Sequence, residues 1–124
     1  MKIAIPVKTD KENPAVAPIF GKAKWFAFTE NGKISIEKNE ERSGVGVIEW
    51  LLRQGVTSLI IKKMSNPPYQ MVKKDGRITV FYAGDERIEL DELIKKYEAD
   101  ALTIIDDSNA GDIIKDHQRD HKNK

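Results

Sequence analysis

The chain has 124 residues, of which a third are charged, and its 21 basic and 20 acidic side chains nearly cancel. This length predicts one domain over residues 1–124, and the balanced charge argues against nucleic acid as a partner. No apolar run approaches the roughly 20 residues that cross a bilayer, and the start lacks a signal-peptide pattern. A cytoplasmic location without a membrane partner is therefore expected. The lack of cysteine excludes disulfides, a thiolate nucleophile and cysteine-ligated metal sites.

The first third of the chain is typical of β-structure. The apolar run Lys2–Val7 predicts a first strand, and the proline-containing segment 9–24 predicts a long loop. An aromatic run from Trp25 and the alternating run Lys33–Glu37 enclose Asn31-Gly32, the strongest two-residue signal for a β-hairpin. These features predict an antiparallel hairpin with one face in water.

The rest of the chain alternates between helical apolar spacing and short β-branched runs. In chain order the predicted elements are a helix over 44–55, a buried strand over 59–61, a helix capped by Asn66 and ending near Gly76, a strand over 78–82, a helix over 90–97, a short strand over 102–105 and a last helix from Asn109 through Ile114. A hairpin joined to βαβ units predicts a three-layer α/β fold, with a mixed five-stranded sheet and helices on both faces.

Two loops are predicted to meet at one end of this sheet. The loop Lys62–Asn66 follows a central strand and leads into a helix N-terminus, where N–H groups and the helix dipole favour an anion. The loop with Phe20-Gly21 follows the first strand, so Gly21 would admit a ligand to the backbone and Phe20 would line a pocket. The predicted anion-binding or cofactor-binding residues are Phe20, Gly21, Lys62, Lys63, Ser65 and Asn66.

A simpler interpretation exists for each of these residues. Lys62 and Lys63 would be solvated, Asn66 would only cap a helix, Phe20 would belong to the core and Gly21 to a turn. Loops carry function often enough to keep both interpretations open.

A second candidate site lies near the C-terminus. His117 and His121 are four residues apart on the predicted last helix, beside Asp116 and Asp120, a spacing at which two imidazoles can face one divalent metal. The alternative is a solvated chain terminus.

Catalytic candidates are poor, because no serine has a nucleophile-elbow setting and both histidines lie in the tail. The first strand also lacks the carboxylate of a magnesium-dependent nuclease. The sequence therefore predicts a protein that is not an enzyme.

Several segments together resemble one known family. They are Lys2–Val7, Pro18–Phe26, Asn39, Leu52–Ile61 and Gly76–Tyr82. In this order they are similar to the dinitrogenase iron-molybdenum cofactor biosynthesis family, which includes NifX-like and NifY-like proteins and the C-terminal domain of NifB. The resemblance implies a ribonuclease H-like fold for a core of about residues 1–102, with a C-terminal helical extension over 103–124.

The same resemblance implies a small non-catalytic carrier that binds or escorts iron-molybdenum cofactor or a related anionic iron-sulfur cluster. Members often have a histidine directly before the Phe-Gly pair, whereas this chain has Ile19, so a direct cluster ligand is missing. The alternative is a regulatory module that kept the fold, lost the cluster site and acts through a protein partner or as a homodimer.

Overall fold

The computed structural model describes residues 1–115, which form a six-stranded mixed sheet and four α-helices. In chain order the elements are β1 (Ile3–Val7), a short 3₁₀ helix (Phe20–Lys22), β2 (Trp25–Glu30), β3 (Lys33–Lys38), α1 (Gly44–Arg53), β4 (Ser58–Ile61), β5 (Met64–Ser65), α2 (Asn66–Asp75), β6 (Thr79–Tyr82), α3 (Leu90–Glu98), β7 (Thr103–Ile104), α4 (Ala110–Ile113) and β8 (Ile114–Lys115). Within this part of the chain, no helix is long and apolar enough to cross a membrane.

The strand order is β3-β2-β1-β4-β6-β7, and β5 pairs separately with β8. Strands β1, β4 and β6 are mutually parallel, while the β2–β3 hairpin and β7 flank them in antiparallel pairings. The predicted mixed sheet is confirmed. Its count of five strands is wrong, because the two-residue strand β7 adds to Phe81 and Tyr82 at the edge of β6. The ribonuclease H-like assignment stays a prediction.

Side-chain alternation divides the core between the two faces of the sheet. Leu59 and Ile61 of β4 pack with α1 and α2, whereas Ile60 packs on the opposite face with α3. In β2, Phe26 and Ala27 divide in the same way. The predicted arrangement of helices on both faces, giving three layers, is therefore confirmed.

The start of α2 differs from the prediction. Asn66 is the first residue of the helix, and its side-chain oxygen accepts a hydrogen bond from Gln70 Nε2 at 3.1 Å. Ser65 holds the N-cap position without a side-chain capping bond, so the prediction that Asn66 caps the helix is wrong. The predicted end is confirmed, since Gly76 adopts a left-handed conformation with φ of +82°.

The predicted last helix is also shorter than expected. It ends at the buried residue Ile113, and the chain continues as β8, where Ile114–Lys115 pairs in parallel with Met64–Ser65. Consecutive β-branched residues favour this extended pairing over another helical turn. The metal-site prediction at His117 and His121 lies outside the described residues.

Helix α1 packs tightly against α2 at Gly44, the first residue of α1. A β-carbon on Gly44 would lie 2.8 Å from Cγ of Pro68 in the first turn of α2. Gly44 also contacts the 3₁₀ helix, because a β-carbon on Gly21 would lie 3.4 Å from the Gly44 Cα. Gly44 thus lets the Phe20-Gly21 turn, α1 and α2 pack together.

Replacing Gly44 with alanine is expected to lower the free energy of unfolding by about 1–3 kcal/mol, because the methyl group overlaps the Pro68 ring. Helix propensity alone would predict the opposite change in the free energy of unfolding, because alanine favours a helix more than glycine does. Chemical denaturation measures the change. The matched control is Gly46→Ala in the same helix, where the added carbon would meet the Glu41 carboxylate at 2.9 Å and the Ser43 hydroxyl at 3.2 Å, and both are side-chain atoms that can move. Equal stability of Gly44→Ala and the wild type would contradict the tight contact.

Candidate functional site

Charged residues follow the C-terminal ends of the three parallel strands, at one edge of the sheet. We name this set the strand-end cluster: Lys8 after β1, Lys62 and Lys63 after β4, and Asp85, Glu86 and Arg87 after β6. Lys8, Asp85, Glu86 and Arg87 all act electrostatically on Lys62. The three loops therefore converge around Lys62, at the edge where open α/β sheets bind ligands.

The two loops predicted to meet are in contact. The Phe20 backbone N–H donates a hydrogen bond to the Lys63 carbonyl at 2.9 Å, and Ile19 and Lys63 form a parallel β-bridge. The Phe20-Gly21 turn is therefore attached directly to the loop that carries Lys62 and Lys63.

Lys62 lies at the centre of the cluster. Its Nζ donates a hydrogen bond to the Glu86 carbonyl at 2.6 Å. Partial burial, and then repulsion from Lys8, lower the pKa of Lys62, and attraction to Asp85 only partly offsets them. The surroundings thus disfavour the ammonium charge, and a bound anion would stabilise it.

Lys63 is linked to Asp85 and Tyr82. Its Nζ lies 3.9 Å from Asp85 Oδ1, and the same carboxylate accepts a hydrogen bond from the Tyr82 hydroxyl. This hydrogen bond, followed by burial, raises the pKa of Tyr82 to about 12. Because exposed ion pairs contribute little, a ligand anion could displace Asp85 from Lys63 at small cost.

The other predicted site residues are placed differently. Phe20 is 1% exposed and packs edge-to-face on Phe26, with ring centroids 5.6 Å apart. Gly21 lies against Gly44. For Phe20 the structure agrees with the simpler interpretation, a core residue, and the hydrogen bond of this turn to the loop that carries Lys62 and Lys63 uses backbone atoms.

The N-terminus of α2 has fewer donors than the anion-site prediction assumed. Pro67 and Pro68 occupy the second and third helical positions and have no N–H group. Asn66 uses its side-chain oxygen for Gln70, while Ser65 makes no capping bond. An anion here would depend on lysine side chains more than on the helix dipole.

The sequence interpretation missed the contributions of β1 and β6. Lys8, Tyr82 and Asp85 reach the cluster because their strands run parallel to β4. The same rule that drew attention to Lys62 would have found them, since residues just beyond parallel strands share one edge.

Asn39 also has a larger role than the sequence indicated. Its Nδ2 donates to the Ala23 carbonyl and its Oδ1 accepts from the Glu41 N–H, each at 2.9 Å. The Asn39 N–H donates to the Lys24 carbonyl at 2.8 Å. Asn39 therefore fixes the end of the Phe-Gly loop to the chain that enters α1.

Two further features of residues 1–115 are a surface depression and the lack of a metal-binding group. A surface depression of about 590 Å³ is lined by Lys2, Phe28 and side chains of the β2–β3 hairpin, at the opposite edge of the sheet. Among residues 1–115, no group of three or more histidine, cysteine or acidic side chains is arranged to hold a metal ion.

Together these features define a small three-layer α/β domain with a mainly basic loop cluster at the C-terminal edge of its parallel strands. The sequence matches the family described as dinitrogenase iron-molybdenum cofactor over residues 1–100, and the chain belongs to that family. The resemblance found in the sequence is thus confirmed. No curated protein matches the chain.

Solved structures share the fold. The apo form of the orange protein from Desulfovibrio gigas has a TM-score of 0.74 at 14% identity, covering 84% of this chain and 92% of that one. A NifB-like protein from Thermotoga has a TM-score of 0.69 at 23% identity, covering 83% and 91%. A dinitrogenase-like protein from Methanocaldococcus jannaschii has a TM-score of 0.63 at 19% identity, covering 85% and 94%. At these identities the similarity shows the fold alone.

Replacing Asp85 with alanine is expected to lower the pKa of Tyr82 from about 12 toward the ordinary tyrosine value of about 10. The reason is loss of the acceptor and of the nearby negative charge. An ultraviolet absorption titration, with Tyr82→Phe subtracted to isolate this residue, measures the shift. Glu86→Gln is the control and should leave the Tyr82 pKa unchanged. A Tyr82 pKa that stays at the wild-type value in Asp85→Ala would refute the assignment.

The same hydrogen bond predicts a pH dependence of stability. The raised pKa of Tyr82 means that the folded state holds this proton more tightly than the unfolded state. Its stabilisation is fully present below pH about 10 and is lost as the pH rises to about 12. The free energies of unfolding of wild type and Tyr82→Phe, measured by denaturation, should therefore converge over this pH range. A difference that stays constant would show that the hydrogen bond is not what titrates.

Proposed function

We propose that this protein is a small non-catalytic carrier that binds iron-molybdenum cofactor or a related anionic metal cluster at the strand-end cluster. The observation that carries the proposal is the 2.9 Å hydrogen bond from the Phe20 N–H to the Lys63 carbonyl. It joins the Phe-Gly turn, by which the chain resembles its family, to a loop with two lysines. Membership of the dinitrogenase iron-molybdenum cofactor family supports this class of ligand.

Binding in this proposal is electrostatic and reversible. The strand-end cluster has four basic and two acidic side chains, a surplus that attracts an anion. An incoming cluster would take the place of Asp85 at Lys63 and would relieve the repulsion between Lys62 and Lys8. Release restores the Lys63–Asp85 pair, so the site exchanges one anion for another.

The donor set fits the charge of such a cargo but not direct coordination of its metals. The sequence has no cysteine, and residues 1–115 contain no histidine. Ile19, at the position where family members often have histidine, is 44% exposed beside Lys63. The cluster would therefore be held by its outer sulfur or oxygen atoms and by its charge.

The exposed Ile19 also favours a second candidate function, a regulatory module that binds another protein. An exposed apolar side chain at the position where family members often have histidine suits a protein contact better than a metal. In this case the fold is retained and the cluster site is lost.

Simultaneous replacement of Lys62 and Lys63 with alanine is expected to weaken binding of molybdate, used as an oxyanion probe, by at least about tenfold. The reason is the loss of two charge interactions, for which tenfold corresponds to about 1.4 kcal/mol. Titration calorimetry measures the affinity. The control is the double variant Lys73→Ala and Lys74→Ala on α2, which removes the same charge away from the site and should bind normally. Equal affinities of the two double variants for molybdate would rule out the loop that carries Lys62 and Lys63 as the anion-binding site.

Metal analysis of protein purified without oxygen from its native host separates the two functions. A carrier should contain iron or molybdenum in stoichiometric amount, and Ile19→His should increase its retention by supplying an imidazole. Ile104→His, at another exposed isoleucine (50%), is the matched control. Metal-free, colourless protein that co-purifies with a defined partner would favour the interaction module.

A further inference from the structure

The outer edge of β3 is a free sheet edge, and it is longer than the edge formed by β7 on the other side of the sheet. β3 (Lys33–Lys38) ends the strand order and pairs only with β2, whereas the opposite edge strand, β7 (Thr103–Ile104), has two residues. One row of β3 backbone N–H and C=O groups therefore has no strand partner within residues 1–115. Such an edge is a template for pairing with another strand.

The two faces of β3 carry different side chains. Ile34 and Ile36 share one face, on the α3 side of the sheet, where Ile36 packs partly against the core and Ile34 is 51% exposed. Lys33, Ser35 and Glu37 lie on the other face by alternation. Lys38, the last residue of the strand, falls on the isoleucine face by the same alternation. The stretch from Lys33 to Glu37 is therefore apolar on one face and carries one charge of each sign on the other, and a strand with the same pattern can complete it.

We propose that β3 pairs in antiparallel fashion with β3 of a second copy of this chain, about a two-fold axis through Ser35. In this register Lys33 of each copy lies opposite Glu37 of the other, and Ser35 lies opposite its equivalent. Ile34 of each copy lies opposite Ile36 of the other, so four isoleucines cluster on one face. The two sheets become one sheet of twelve strands.

Charge and geometry select this register over its neighbours. In an antiparallel pair, opposed residues have the same hydrogen-bonding orientation, so an allowed shift moves the axis by one residue. An axis at Ile36 would place Ile34 opposite Lys38 and Ser35 opposite Glu37. An axis at Ile34 would place Lys33 opposite Ser35. Only the axis at Ser35 pairs Lys33 with Glu37 and Ile34 with Ile36.

Lysine on an edge strand often prevents such pairing, because it would meet a like charge or an apolar surface. Here Lys33 meets Glu37 of the other copy, so the edge repels unrelated strands but matches itself. This self-complementarity is the observation that commits the edge to a second copy rather than to another protein.

A charge-reversal experiment tests the register. Lys33→Glu alone creates two Glu–Glu pairs across the axis, and Glu37→Lys alone creates two Lys–Lys pairs. Sedimentation equilibrium should show a dimer for the wild type and dimer affinity reduced by roughly tenfold or more for each variant. An equimolar mixture of the two variants forms only Glu–Lys pairs and should regain the wild-type affinity as a heterodimer. Wild type that is monomeric at concentrations on the order of 100 μM, or a mixture that does not recover, would overturn the proposal.

A crosslinking experiment provides a second test that does not depend on the affinity. The sequence has no cysteine, so Ser35→Cys introduces a single thiol. Residues directly opposed in an antiparallel pair have Cα atoms about 4.5–5.5 Å apart, within disulfide range. Lys33→Cys is the matched control, since its equivalent lies four residues away, about 13 Å along the strand.

Under mild oxidation Ser35→Cys should form a disulfide-linked dimer much faster than Lys33→Cys, with both proteins showing wild-type circular dichroism. Equal crosslinking rates would mean random collision and would overturn the paired register. Loss of folding in either variant leaves the charge-reversal test as the deciding measurement.

Discussion

The burial of β4 on both of its faces is the constraint on which the rest of the structure depends. All four residues of Ser58–Ile61 are buried, and the strand is bonded to β1 on one side and β6 on the other. A strand this apolar needs helices above and below the sheet, because its backbone and side chains cannot face water. The βαβ connections that supply α1 and α2 also make β1, β4 and β6 parallel, so their C-terminal ends meet at one edge.

The position of the charged residues follows from this burial. Charges are absent from β1 and β4 and begin one residue after each strand, at Lys8 and Lys62. At this boundary Lys62 is neither fully solvated nor fully buried, so its protonation responds to the surroundings. Burial and Lys8 lower the pKa of Lys62, while Asp85 raises the pKa of Tyr82. The candidate site is therefore a consequence of where the buried strands end.

Periodicity was enough to predict the long elements, because β2, β3, α1 and α3 have a local pattern that matches their burial. Periodicity failed for short strands that pair with residues far away in the sequence. Strands β5 and β8 are examples, because two residues are too few to show a pattern. For the site, the topology predicted that the Phe-Gly turn would meet Lys63. It did not distinguish a core role from a pocket role for Phe20, since both use a buried aromatic ring. The residues after β6 have no local motif, and only the parallel pairing of β6 with β4 places them at this edge.

The proposed dimer and the proposed carrier site use charge in opposite ways. Lys33 and Glu37 of β3 compensate each other across the proposed two-fold axis, whereas the strand-end cluster has a basic surplus that needs an external anion. In the dimer, β4 and its equivalent are separated by seven strand spacings of about 4.8 Å, or roughly 34 Å. The axis also places the two clusters at opposite edges of the joint sheet. This distance is several times the Debye length of about 8 Å at physiological salt. Two bound anions would therefore be screened from each other, and the proposed dimer would load its two sites independently.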